Sequence, residues 1–342
     1  MTQKDIEKLT KQILSSVDRE REREIISRRY GLYDRKETLE QIGELLGITR
    51  ERVRQLEKAT MTRLKLNAEA GEIEGLKEFE VQIIETLKSL GNIARVSKLS
   101  DKLTGETSNK IEQSRLSFIG DLSPKLSVIS DNDHFFQSIA ITEAHSVDKI
   151  TEQVNAVVEA LKKIGKPADA ETLMTHTKHK DPLFVEALSS TSKNLATLNQ
   201  KWGLIKWPTV NPKNIRDKIY VILQQHGKHM HFSEIADAIK GSDFKRKDVT
   251  TQAIHNELIK DKRFVLIGRG IYALKEWGYK KGTVADIISQ VLKDAGEPLH
   301  RDEIVKRVLK SRYVKETTIL LNLQGKNQFK RVSKATYALN QD

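Results

Sequence analysis

Cysteine is absent from the 342 residues, which excludes disulfides, thiol catalysis and zinc fingers built on cysteine. No apolar run approaches the roughly 18 residues that cross a bilayer. The opening MTQKDIEKLTKQIL also lacks the apolar centre of a signal peptide. A soluble, cytoplasmic protein without membrane contact is expected. Aromatic residues make up only 6%, which suggests several modest cores rather than one large one. The length fits two or three domains, or more if the modules are small. No Ser/His/Asp set or carboxylate pair stands out from the 47 acidic residues. Gly268-Arg269-Gly270 lacks the rest of a phosphate-cradling fingerprint. No catalysis, cofactor or small-molecule substrate is therefore expected. His176 with His179, and His226 with His229 and His231, raise the question of zinc. A zinc site needs three or four converging ligands, so these histidines read as structural and no metal is expected.

Positive charge is what the chain has in excess: 59 Lys and Arg against 47 Asp and Glu, a net +12. Such a balance favours a polyanionic partner, nucleic acid first and anionic membrane second. The most pointed stretch is GITRERVRQLEKA, Gly47 to Ala59. At 100° per residue, Val53, Leu56, Thr60 and Leu64 share an apolar sector. Arg50, Glu51, Arg54, Gln55 and Lys58 share the opposite one, with Arg52 at its edge. A merely solvated run would scatter its charges. Upstream, TLEQIGELLGIT predicts a short helix that buries Leu39, Ile42 and Leu46. Gly43 is small where a second helix passes close, and Gly47 supplies a left-handed turn. Ile48 plugs that turn, and Thr49 caps the helix that begins at Arg50. This is the helix-turn-helix pattern, which places its second helix in the major groove. There Arg suits guanine, Gln suits adenine and Glu accepts from cytosine N4. The competing view is a helical hairpin with a salt-bridged surface.

The segments RERE at Arg21–Glu24, IISRRYGL, TLEQIGELLGITRERVRQLEKA and RLK together resemble region 4, the −35-recognising domain, of housekeeping-type bacterial sigma factors. The resemblance covers roughly residues 17–66. It implies that Arg50, Glu51, Arg54 and Gln55 contact bases. Arg23, Thr38, Glu40 and Arg52 match or adjoin the family's backbone contacts, and Lys58 on the basic face joins them. The family also docks on the flap of the RNA polymerase β subunit, so the polymerase core stands beside promoter-like double-stranded DNA as an expected partner. Between Lys58 and Lys65 the chain is less basic than the family, with Thr60 and Thr62. No segment resembles the aromatic-rich helix that captures the melted −10 strand, and all three tryptophans lie beyond residue 200. The chain is not expected to open a promoter alone.

After Leu66, NAEAGEIEGLKEFE reads as a linker or the start of a helix. Beyond it one pattern recurs four times at a period of roughly 63 to 73 residues: three helices, then two short β-type runs. IRDKIYVILQQHGKHMHFSEIADAI aligns with VADIISQVLKDAGEPLHRDEIVKRV, matching His231 to His300, Glu234 to Glu303 and Ile235 to Ile304. RFVLIGRGIYALKEW and QFKRVSKATYALNQ end these two copies. The second copy ends in LATLNQKWGLIKWP and the first in LSVISDNDHFFQSIAI. Three helices and a hairpin form a winged helix, with the glycines of Gly268-Arg269-Gly270 permitting positive φ. The endings and the HFSEI and HRDEI turns resemble HARE-type helix-turn-helix domains, a family that includes the delta subunit of RNA polymerase and binds DNA or protein.

The fold expected is mainly α with small β-hairpin wings. Its parts are an N-terminal helix (1–16), the region 4-like helix-turn-helix (17–68), a divergent winged helix (77–143), a second winged helix (147–209) and two HARE-like ones (210–276 and 277–342). The residues at 202, 207, 272 and 337 read as hairpin packing. In copy four, Lys310, Arg312, Lys315, Lys326, Lys330, Arg331 and Lys334 suggest phosphate contacts, five of them (315, 326, 330, 331 and 334) forming a second DNA surface. Copy three has Lys245, Arg246 and Lys247. The third helix of copy two, DPLFVEALSSTSKN, is nearly neutral, and copies one and two read as protein contacts or spacers. The expected function is sequence-specific DNA binding in bacterial transcription, in the nucleoid. Two alternatives stay open: a polymerase-binding protein that does not read DNA, and a DNA-binding accessory of a mobile element or defence system.

Overall fold

The computed structural model describes residues 2–142, 147–244 and 246–340; Lys245 lies outside the described residues. The chain divides into two compact units, Met1–Lys206 and Trp207–Asp342.

The first unit opens with α1 (Gln3–Ser15), started by a capping box between Thr2 and Asp5. Helix α2 (Glu20–Tyr30) ends at Gly31 in the left-handed conformation. Then come α3 (Leu39–Leu46) and α4 (Arg50–Ala70). The next run is α5 (Leu76–Ser89), β1 (Ile93–Arg95), α6 (Val96–Thr104), α7 (Lys110–Leu122), β2 (Leu126–Ile129) and β3 (Ser138–Ile141). Its three strands form an antiparallel sheet in the order β1-β3-β2. The unit closes with α8 (Val147–Ile164), α9 (Ala170–Thr177), α10 (Pro182–Thr191), β4 (Leu195–Leu198) and β5 (Lys201–Leu204). Here the extra strand is reduced to one bridge, Ala168 to Trp202.

One apolar core runs through α1, the helix-turn-helix and copy one. Ile6, Leu9 and Ile13 meet Ile26, Leu32, Met61 and Leu64, which continue into Ile83, Leu99, Phe118 and Ile139. The stretch after Leu66 is no loose linker. Met61, Leu64 and Ala68 extend the buried stripe of α4 at helical spacing, and Ile73 and Leu76 lie in the same core. Polar ties cross this junction. The Tyr30 ring meets Phe118 edge-on at 5.1 Å, and its hydroxyl donates to Asp121 at 2.7 Å. Burial first, and Asp121 second, push the Tyr30 phenol well above its ordinary pKa. Lys65 pairs with Asp121 at 3.0 Å, and buried Arg115 donates to the Leu32 carbonyl at 2.8 Å and to Glu7 at 3.0 Å.

Helix α10, the third helix of copy two, is packed onto copy one. Phe184, Val185 and Leu188 are buried, and a Cβ on Gly91 would lie 2.6 Å from the Leu183 carbonyl oxygen. Phe136 N–H donates to the Thr191 carbonyl at 2.8 Å, and Lys193 N–H to that of His134 at 2.7 Å.

The second unit repeats the six-element order twice. It contains α11 (Ile215–His226), β6 (Met230–His231), α12 (Phe232–Gly241), α13 (Thr251–Lys260), β7 (Phe264–Gly268) and β8 (Ile271–Leu274). After a short 3-10 turn come α14 (Val284–Ala295), β9 (Leu299–His300), α15 (Arg301–Ser311), α16 (Glu316–Gly325), β10 (Phe329–Ser333) and β11 (Thr336–Leu339). Both sheets place the last strand centrally, β6-β8-β7 and β10-β11-β9. His231 and His300 are N-cap residues whose Nδ1 atoms accept from Ser233 and Asp302 N–H. At the hairpin turn only Gly270 has positive φ; Gly268 sits at a bulge with ordinary φ. Trp202, Tyr272 and Tyr337 are buried against the hairpins, while Trp207 is half-buried. Arg312, expected to meet phosphate, instead donates to the Leu266 carbonyl at 2.8 Å, and Tyr313 N–H to that of Ile267 at 3.1 Å. That segment of copy four lies along the copy-three hairpin, so its guanidinium is committed to the fold.

Candidate nucleic-acid interface

The helix-turn-helix is assembled by local chemistry. The Thr38 hydroxyl accepts from Gln41 N–H at 3.3 Å while Gln41 Oε1 accepts from Thr38 N–H at 2.9 Å, a reciprocal cap. A Cβ on Gly43 would lie 2.7 Å from the Ile48 carbonyl oxygen, so any other residue would push α3 and the turn apart. Gly47 takes φ 64°, and Thr49 Oγ1 accepts from Arg52 N–H at 3.2 Å. A small core of Ile25, Ile42 and Val53 is fully buried. Leu39 and Leu46, expected in full burial, are only partly covered, as are Ile48 and Leu56. The reason is size: α2, the eight-residue α3 and the first turns of α4 meet over too small an area to enclose seven apolar side chains.

The outer face of α4 presents Arg50, Glu51, Arg52, Arg54, Gln55 and Lys58, all exposed. Four of them interlock along the helix. Arg54 holds Glu51 with two hydrogen bonds, Nε to Oε2 at 2.8 Å and Nη2 to Oε1 at 2.6 Å. Gln55 Nε2 reaches Glu51 Oε1 at 3.4 Å, and Arg52 Nη1 reaches Gln55 Oε1 at 3.4 Å. The hydrogen bond from Arg54 holds the Glu51 carboxyl below its ordinary pKa and raises that of Arg54 in turn. This pair is fully exposed and screened by water, so it is a weak tie. A bidentate Arg–guanine contact discriminates by about 1–3 kcal/mol, so a cognate base can win Arg54 from Glu51.

Around this face, Thr38 and Glu40 are exposed in the first turn of α3, and Arg23 is half-buried on α2. The Glu40 carboxylate is unsuited to a phosphate; only its N–H, in the first turn of α3, has the polarity for an anion. Arg21, Arg28 and Arg29 of the same segment are structural. Arg21 Nη2 donates to the Leu46 carbonyl at 2.6 Å. Arg28 pairs with Glu24 and Glu37, each at 2.9 Å, and Arg29 with Glu57 at 3.3 Å. Reasoning from sequence missed Arg35 and Lys36, both exposed in the loop before Thr38; the signal was the adjacent pair of cations just ahead of a helix cap.

In the second unit, Lys315 is the N-cap residue of α16, Lys326 its C-cap, and Lys330, Arg331 and Lys334 lie on the β10–β11 hairpin. All five are exposed. Helix α16 itself, ETTILLNLQG, carries no cation, and Leu321 is 68% exposed. Among the described residues no group of three or more His, Asp or Glu is placed to hold a metal, and no helix is long and apolar enough to cross a membrane.

Comparison with known proteins bears on the first of these surfaces. Residues 19–66 match the family model of sigma-70, region 4. Over 46 residues the chain is 54% identical to the RNA polymerase principal sigma factor HrdC of Streptomyces coelicolor. It is 50% identical over 46 residues to the RNA polymerase sigma factor SigA1 of Synechococcus elongatus. Each match covers 13% of this chain, and 14% and 12% of the relatives respectively. The N-terminal segment thus carries a sigma region 4 helix-turn-helix, a DNA-binding fold of bacterial transcription.

Proposed function

We propose that the protein binds DNA sequence-specifically in bacterial transcription, at a −35-like element, in the nucleoid of the cytoplasm. The observation that carries this reading is the interlocked, exposed row on α4 within a region 4 match. Arg54 and Gln55 would take purines, Arg50 would extend the row toward the N-terminus of α4, and Glu51 would exclude bases that cannot donate to it. Arg23, Thr38, the Glu40 N–H, Arg52 and Lys58 would hold the backbone. The four repeats are read as winged helices, the last two of HARE type. Lys315, Lys326, Lys330, Arg331 and Lys334 would add non-specific phosphate contacts, raising local concentration at the site by tethering.

RNA polymerase core is the second partner of this reading. It is supported by the sigma-factor relatives and by Leu45 and Leu66, which stand 55% and 59% exposed on the helix-turn-helix. Selection of bound duplexes from a random library at about 150 mM salt, where non-specific binding is reduced, tests the proposal. Wild type should enrich one motif, and an Arg50/Arg54/Gln55 triple-alanine variant should lose it. Equal weak binding by both would reject sequence reading and leave polymerase docking.

A further inference from the structure

The loop that leads into Thr38 forms one wall of a cavity of about 600 Å³ in the first unit, and copy one forms the other. Arg35 and Lys36 come from the loop, and Arg95 and Lys110 from copy one. The loop is held in place: Glu37 N–H donates to the Arg28 carbonyl at 3.0 Å, and Gly31, at φ 67°, leaves no room for a Cβ under the Lys36 stem. The opposite wall is equally fixed. The Arg95 guanidinium lies over the Phe136 ring, 3.7 Å from its centroid, and donates to the Ser190 carbonyl. Asp34 and Asp131 also line the cavity, but Asp131 is paired with Lys193 at 3.1 Å. Arg35, Lys36 and Lys110 make no ion pair among the described residues, so the rim is positive.

The cavity's position tells which anion. Lys36 is two residues from Thr38, at most ~7 Å along the chain, and Thr38 starts the helix that lies against the DNA backbone in the function proposed above. We propose that copy one is a clamp on flanking DNA: a phosphate just beyond the element read by α4 is held at the mouth of this cavity by Arg35, Lys36 and Lys110. The inference rests on that function and adds to it a footprint longer than the helix-turn-helix alone would give.

The test uses the full chain and the duplex motif found by selection. One duplex extends about one helical turn (~10 bp) beyond the motif on both sides, and two others stop at one or the other edge. Binding is measured against salt for wild type and for Lys36→Gln/Lys110→Gln, which keeps both stems. The expected result is an unchanged motif and a salt slope shallower by about 0.9 on the extended duplex, since one neutralised phosphate contributes ~0.9. On the duplex lacking one flank, wild type and variant should coincide. Lys110→Gln alone should show about half the change. An intact motif with an unchanged slope would overturn the clamp and leave the reading function standing. An equal loss on all three duplexes would put the lysines inside the site and also overturn it. If wild type selects no motif, both proposals fall. Titration of inorganic phosphate that shifts the Lys110 resonances without any flank effect would assign the cavity to a free anion instead.

Discussion

Helix α4 in the first unit and helix α16 in the second each follow another helix and point one face outward, but the faces differ in kind. The outer side of α4 is a row of Arg, Glu, Gln and Lys. That of α16 holds Leu321 and no cation, with its basic residues displaced to the caps and the hairpin. In the first unit the two other third helices, α7 and α10, face protein: Arg115 of α7 is tied to Leu32 and Glu7, and α10 lies on copy one. A shared order of elements therefore does not allot a shared task. Side-chain chemistry at the outward positions separates the charged, amide-bearing face of α4 from the apolar face of α16 and from the packing helices α7 and α10.

The largest effect expected from breaking this contrast is on stability. Leu64→Ala should destabilise the first unit by about 2–5 kcal/mol, because it opens a cavity in a core shared by the helix-turn-helix and copy one. In chemical denaturation the two should lose structure in one transition; separate transitions would show that the core does not couple them. Next in size, Arg54→Ala should cost about 1–3 kcal/mol of binding and relax preference at one base position, seen by repeating the selection. Lys330→Ala/Arg331→Ala should leave the motif unchanged and make the salt slope shallower by about 1.8. An unchanged slope would remove the second unit from the DNA. The smallest effect concerns the hairpins, where Ala335 at φ 57° stands where the preceding copy has Gly270. Ala335→Gly should stabilise the second unit by about 0.5–1 kcal/mol, read as a raised denaturation midpoint.

The helix-turn-helix was legible in the sequence because each of its requirements is local. Gly43 answers to Ile48, Gly47 to the turn, and Thr49 to Arg52, all within a few residues. What escaped was non-local or too short. Strands β6 and β9 have two residues each, below any visible alternation, so the third strand of each sheet was not foreseen. The destination of Arg312 depends on a hairpin 46 residues away in the chain. The joining of α1, α4 and copy one depends on apolar residues whose stripe shows that they are buried but not against what. The Arg35–Lys36 wall became visible only with Lys110 brought opposite it.

The shared core also sets a limit on grafting. A domain cut at Leu66, where likeness to the sigma factors ends, would strip the cover from Met61 and Leu64 and leave Ala68 and its neighbours behind. Such an excised domain would present bare oil to water and clump. A portable version of the helix-turn-helix has to carry copy one with it, out to Ile141, as a keel beneath α4.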